Sequence, residues 1–274
     1  MQIPSAILTL VLGMALMLVG LWIGQNVNFL PLDASANAPI YDEFFRFLFS
    51  IGAILFLGIV GLVIFSLIRF RRRPGQLGDG IPLEGNLPLE IFWTAVPAIL
   101  VLFVGLYSYD IYDRMGGMTP LSGSGHDHSA MASEERVWGG ISSAKEDAST
   151  PAGITQGPIE VTAMQFAFLF HYPGADITSG ELHVPIGRPV NLRLESKDVI
   201  HAFWVPEFRL KQDVIPGQPT MLSFTATKPG RYPIVCAELC GPYHGGMRST
   251  VVVEDPETYD AWITTNAKPP VTES

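Results

Sequence analysis

The chain has 274 residues, 48% of them hydrophobic and 16% charged, with a formal net charge of −9 at pH 7. That acidic balance argues against nucleic acid as a partner, because phosphates attract a basic face. The apolar content is high for a soluble globular protein, and the excess is concentrated before residue 110.

Three stretches in that first part lack charge for about the 20 residues that a membrane helix needs. The first falls within residues 1–32, is most apolar over 7–23, and predicts a helix at 5–24. The second is 47–68, inside a predicted helix at 45–69. The third is 91–109, inside 90–112, with Pro97 near its start. Proline is tolerated there because neighbouring groups re-satisfy the freed carbonyl. Residues 1–113 thus read as a transmembrane region. Arg69, Arg71, Arg72 and Arg73 follow the second stretch, and basic loops face the cytoplasm. Loop 69–90 is therefore predicted to be cytoplasmic, and everything after about Asp110 lies outside. The tyrosines of "LYSYDIYDRM" suit a membrane–water boundary. The first stretch has two readings. "ASANA" at 34–38 offers the small-residue cleavage sites of a secretory signal. Yet no basic segment precedes it, and the gap from Ile23 to Ala34 is long, so a retained helix with a cytoplasmic N-terminus is the reading adopted.

Residues 114–157 are rich in Gly, Ser, Ala and Thr and read as a flexible linker. Within it, "GHDHSAM" places His126 and His128 one residue apart, a spacing that can bind metal but in such a stretch is usually solvated. From Pro158 the pattern changes to short runs rich in β-branched and aromatic residues, punctuated by Gly, Pro and Asp. Several such runs predict a β-sandwich or barrel of about a hundred residues over 158–262. The helical-looking "DPETYDAWITTN" closes it, and 263–274 is a tail. Acids outnumber bases mainly after residue 113, which serves solubility or presents an acidic face to a partner.

The only two cysteines lie in "CAELCGPYHGGM" at 236–247. A Cys236–Cys240 disulfide is permitted outside the cytoplasm. It would close a very small loop and stabilise little, and it leaves His244 and Met247 unexplained. Zinc would take Cys236, Cys240, His244 and the upstream His201 of "DVIH". Met247 is a poor zinc ligand, and a thioether beside thiolates and imidazoles suits the softer copper. Taken singly, His201 reads as a hydrogen-bonded core histidine and Met247 as core filler. Taken with two cysteines at these spacings, they read as a metal site.

"VIHAFWVPEFRLKQDVIPG" followed by "YPIVCAELCGPYHGGM", with "LEIFWTAVPA" and the two-helix hairpin, resembles subunit II of haem–copper cytochrome c oxidases of the aa3 type. The resemblance covers nearly the whole chain. "QFAFLFHYPG", "SGELHVP" and the extra N-terminal segment are most similar to cyanobacterial members. The fold this implies is a two-helix membrane hairpin plus an N-terminal helix, followed by an all-β cupredoxin-like Greek-key sandwich. The function it implies is an electron-accepting subunit of a respiratory terminal oxidase. Electrons from a soluble c-type cytochrome or a small plastocyanin-like copper protein would pass to haem a in subunit I, where oxygen is reduced to water. Subunits I and III and membrane lipid would be its partners, and the outer domain would face the periplasm or thylakoid lumen. A quinol oxidase subunit II, which shares the scaffold without copper, and a membrane-tethered copper-binding protein are the competing readings.

The resemblance also implies roles. Cys236 and Cys240 would bridge two copper ions, His201 and His244 would cap one copper each, and Met247 and the Glu238 carbonyl would be weak ligands. The Glu238 carboxylate would help bind a magnesium ion shared with subunit I. Glu90 would lie at the mouth of a proton pathway, although an acid there also suits the helix N-terminus. Asp198 would lie near the metal on the face that meets the donor; its simpler reading is a solvated turn acid. Phe168 would stand where many members carry the tryptophan that receives the electron, with Trp204 or Tyr243 sharing the role.

Overall fold

The computed structural model describes residues 4–72, 75, 85–115 and 157–268. Arg73, most of the loop before Glu90, and the linker with His126 and His128 lie outside the described residues. The chain divides into two compact units: Met1–Phe29 with Asp42–Arg114, and Leu30–Tyr41 with Met115–Ser274.

The first unit is helical. α1 spans Ser5–Asn26, α2 Ala38–Arg69 and α3 Leu87–Arg114. At 1.5 Å per residue they are about 33, 48 and 42 Å long, enough to cross a hydrocarbon core of about 30 Å. All three are long and apolar enough to span a membrane. α1 lies against α2 so closely that a Cβ at Gly24 would overlap Ser50 Oγ, and one at Gly20 would overlap the Ile54 side chain. Lipid offers no hydrophobic drive for helix association, so close backbone approach at small residues supplies it through dispersion. Ser50 satisfies its own hydroxyl by donating to the Arg46 carbonyl at 2.8 Å. α2 and α3 meet through aromatic rings: Phe44 and Phe47 of α2 meet Tyr107 of α3 edge-on at 5.3 and 5.5 Å.

The second unit is a β-sandwich closed by a helix. β1 is Ile159–Met164, β2 Ala167–Tyr172, β3 Ile177–Ser179, β4 Leu182–Pro185 and β5 Pro189–Ser196. β6 is His201–Val205, β7 Leu210–Val214, β8 Thr220–Thr225, β9 Gly230–Cys236 and β10 Arg248–Glu254. One sheet runs β3-β2-β1-β5-β8 and the other β4-β10-β9-β6-β7. Both are mixed, since β1–β5 and β10–β4 are parallel pairs. Alternate residues face inward, as the pleat requires: Val161 and Ala163 from β1, Phe168, Phe170 and Tyr172 from β2, and Leu192 and Leu194 from β5 are buried. They meet Phe203, Ile234 and Val251 of the other sheet in one core.

The β-rich stretch that begins at Pro158 breaks into β1 and β2 at Gln165 and Phe166, whose peptide bond is cis, and Met164 pairs with Ala167 across the turn. The closing helix α4 runs Pro256–Asn266, past the expected boundary at 262, because Ile263 is a buried core residue.

Residues 30–41, grouped above with the membrane region, belong to the sandwich. The Ala34 and Ala36 amides donate to Glu207 and Thr225 carbonyls at 2.9 and 3.0 Å, and the Thr227 amide donates to the Ala34 carbonyl at 2.9 Å. Ser35 Oγ donates to the Phe208 carbonyl at 2.8 Å, and Lys228 pairs with Asp33 at 2.5 Å. These contacts satisfy backbone groups at the margin of the fold that would otherwise need water.

Candidate metal centre

The site forms where β6 begins and β9 ends. Phe203 pairs with Cys236 and Trp204 with Val235, which sets the strand headed by His201 beside the strand that ends in Cys236. The chain then turns through residues 237–247. The His244 amide bonds the Gly241 carbonyl at 3.1 Å, and His244–Gly246 forms a short 3-10 turn. The Cys236 amide returns to the Met247 carbonyl at 3.1 Å, so the two ends of the loop are clipped together. Gly241 has φ +135°, a conformation L side chains rarely adopt, and an added Cβ there would lie 2.8 Å from Gln165 Nε2.

This folding brings the soft donors together. Cys236 Sγ and Cys240 Sγ are 3.9 Å apart, and both thiols are free. Cys236 Sγ lies 3.8 Å from His201 Nδ1 and 3.3 Å from the Glu238 carbonyl oxygen. Cys240 Sγ lies 3.4 Å from His244 Nδ1 and 3.7 Å from Met247 Sδ. Two metal–sulfur bonds of roughly 2.3 Å span up to about 4.6 Å, and every separation falls below that, so neighbouring donors can share an ion. His201, Cys236, Cys240 and Met247 are all buried. The ligand atoms of His201, Cys236 and Cys240 lie within 4.8 Å of one another.

Two titratable groups at the site are shifted in opposite directions. Burial, and then the adjacent Cys236, push the Cys240 thiol up to about 11. At neutral pH such a thiol holds its proton until a metal displaces it. Asp198 behaves differently. Burial works to raise its pKa, but hydrogen bonds from the Gln165 amide at 2.7 Å, His201 Nε2 at 2.8 Å and the Val199 amide at 2.7 Å hold it below the ordinary carboxylate value. With Nε2 engaged by this carboxylate, His201 turns Nδ1 toward Cys236, the arrangement typical of a metal-ligating histidine.

The other expected residues fall as follows. Glu238 is half-buried in the loop, and Glu90 lies in the first turn of α3. Phe168 is only 2% exposed and packs edge-on against Phe203 at 5.9 Å, so its ring is a core element that a docking protein does not reach. The most accessible of the aromatics proposed for the donor face is Tyr243, 72% exposed, whose ring meets Phe166 edge-on at 5.4 Å. Sequence reasoning missed Phe166 and Gln165. The burial of Phe168, by contrast, was legible in the alternation of Phe168, Phe170 and Tyr172, which puts all three on one inward face. Ile200, Trp204 and Leu239 are also exposed on this domain.

Comparison with known proteins agrees with this architecture. Residues 20–111 match the family described as cytochrome C oxidase subunit II, transmembrane domain, and residues 176–255 match its periplasmic domain. The chain is 46% identical over 280 residues to cytochrome c oxidase subunit 2 of Thermostichus vulcanus, covering 95% of this chain and 85% of that one. It is 44% identical over 287 residues to the protein of the same name from Synechocystis sp., covering 98% and 85%. Among solved structures it is similar to the periplasmic domain of subunit II of cytochrome oxidase of Bradyrhizobium japonicum, at 27% identity and a TM-score of 0.39, over 41% of this chain and 94% of that one. Three membrane helices, a β-sandwich outer domain and the matching family models and relatives place the chain in the cytochrome c oxidase subunit II family, as an integral membrane subunit of an oxidoreductase complex whose copper-type domain lies outside the cytoplasm.

Proposed function

We propose that this chain takes single electrons from a small soluble protein and passes them to the haem-bearing subunit of a terminal oxidase through a two-copper centre. The ligands are His201, Cys236, the Glu238 carbonyl, Cys240, His244 and Met247. The observation that carries the reading is the convergence of the other four donors on the two free, buried thiols. When bound, the copper pair would supply one-electron redox chemistry, held by these residues. The protein's part is to hold the donors still. His201 is fixed by Asp198, and the loop is clipped at Cys236 and Met247. Burial keeps water from the sulfurs. The Glu238 carboxylate is assigned to a magnesium ion shared with subunit I, and Glu90 to proton uptake from the cytoplasm.

The donor face is assigned to the exposed apolar side chains Ile200, Trp204, Leu239 and Tyr243. Large apolar side chains left exposed are candidates for contact, Leu239 and Tyr243 lie in the metal loop itself, and Ile200 directly precedes His201. A c-type cytochrome or a plastocyanin-like protein would meet them, with subunits I and III as membrane partners. The test is metal analysis and electron paramagnetic resonance of the purified oxidase. One unpaired electron shared equally by two copper nuclei of spin 3/2 gives seven hyperfine lines, whereas one copper gives four. A four-line spectrum, or a single copper assigned to this subunit, refutes the two-copper reading.

A further inference from the structure

Gln165 supplies no metal ligand, yet it is bonded to two separate parts of the centre. Its backbone amide donates to Asp198 Oδ2 at 2.7 Å. Its side-chain Nε2 donates to the Cys240 carbonyl at 2.6 Å. Asp198 in turn accepts from His201 Nε2 at 2.8 Å through its other oxygen. One residue in the turn between β1 and β2 therefore ties together a cysteine of the metal loop and, through one carboxylate, the histidine at the head of β6. These elements belong to different sheets.

The packing around the turn fits the same purpose. Gly241 leaves room for the Gln165 amide, because a Cβ there would lie 2.8 Å from Nε2 and 3.2 Å from the Phe166 ring. The next residue, Phe166, lies edge-on to Tyr243, between Cys240 and His244 in sequence. The turn thus grips the loop on both sides of Gly241.

We propose that Gln165 is a positioning residue for the metal centre: it fixes Cys240 directly and His201 through Asp198, so that both ligands keep their places whether the site is oxidised or reduced. The inference rests on the copper reading given above. Partners that orient metal ligands typically change metal affinity by about 10- to 100-fold when removed. The Gln165 N–H group also points the positive end of its dipole at the carbonyl of a ligating cysteine, which favours the electron-richer, reduced state.

Gln165→Leu tests this, since it keeps the size and the backbone amide bond to Asp198 while deleting the side-chain donor. In the intact purified oxidase the variant is expected to show a lower midpoint potential of the copper centre than wild type. Altered hyperfine splitting and about tenfold faster copper loss to a chelator are also expected. Asp198→Asn is the second variant: it keeps an oxygen for His201 but turns an amide N–H toward the Gln165 amide, and its effects should be non-additive with Gln165→Leu, as for residues in one network. Unchanged potential, hyperfine splitting and copper retention in both variants overturn the proposal. So does a loss of thermal stability with potential and splitting unchanged, which would make Gln165 a turn-former only. A wild-type oxidase without the two-copper signal overturns the metal reading, and this inference falls with it.

Discussion

Replacing Phe168 by alanine and replacing Tyr243 by alanine should have opposite consequences, and the contrast locates the electron donor. Phe168 is buried at 2% exposure between the sheets and meets Phe203. Truncating such a ring removes its transfer free energy and leaves a cavity, together about 3–5 kcal/mol. A domain is stable by only about 5–15 kcal/mol, so Phe168→Ala should lower the melting temperature of the outer domain on the order of 15 °C, at about 4 °C per kcal/mol. Tyr243 is 72% exposed and holds one edge-on ring contact with Phe166. Its truncation should cost about 1 kcal/mol or less but slow reduction of the proposed copper centre several-fold, since it removes an exposed aromatic in the same loop as the proposed ligands. The salt dependence of association should not change, because no charge is lost. Calorimetry of each variant and stopped-flow reduction by a soluble c-type cytochrome separate the two effects. If Phe168→Ala melts like wild type and slows reduction while Tyr243→Ala does nothing, the placement of the donor at Tyr243 is wrong.

Ser35→Ala should destabilise the outer domain by about 1–3 kcal/mol, because it leaves the Phe208 carbonyl without its buried donor; a wild-type calorimetric melt would show that residues 30–41 do not pack on the sandwich. Gly78→Cys should react with a membrane-impermeant thiol reagent in inverted vesicles only, because the arginines that follow α2 hold that loop in the cytoplasm; reaction in intact cells would reverse the topology.

The sequence alone determined the three membrane helices and the content of the metal loop. A helix in lipid must satisfy its backbone within itself, so an uninterrupted apolar run is enough to identify it. Cys236, Cys240, His244 and Met247 lie within twelve residues, so one short turn delivers all four. The alternation in β2 also carried the burial of Phe168, because side-chain direction in a strand repeats every two residues. Only the tertiary structure decided the rest. Gln165 and Cys240 are 75 positions apart, and Ser35 and Phe208 are 173 apart. A hydrogen bond between such distant residues leaves no periodic trace in either local segment. The same holds for Asp198: the resemblance puts it near the metal, but only the fold sets the Gln165 amide on one of its oxygens and the His201 ring on the other. Which residues can serve as ligands was written in local chemistry. Which residues hold the ligands in place depends on two sheets meeting, and that is a property of the packed chain.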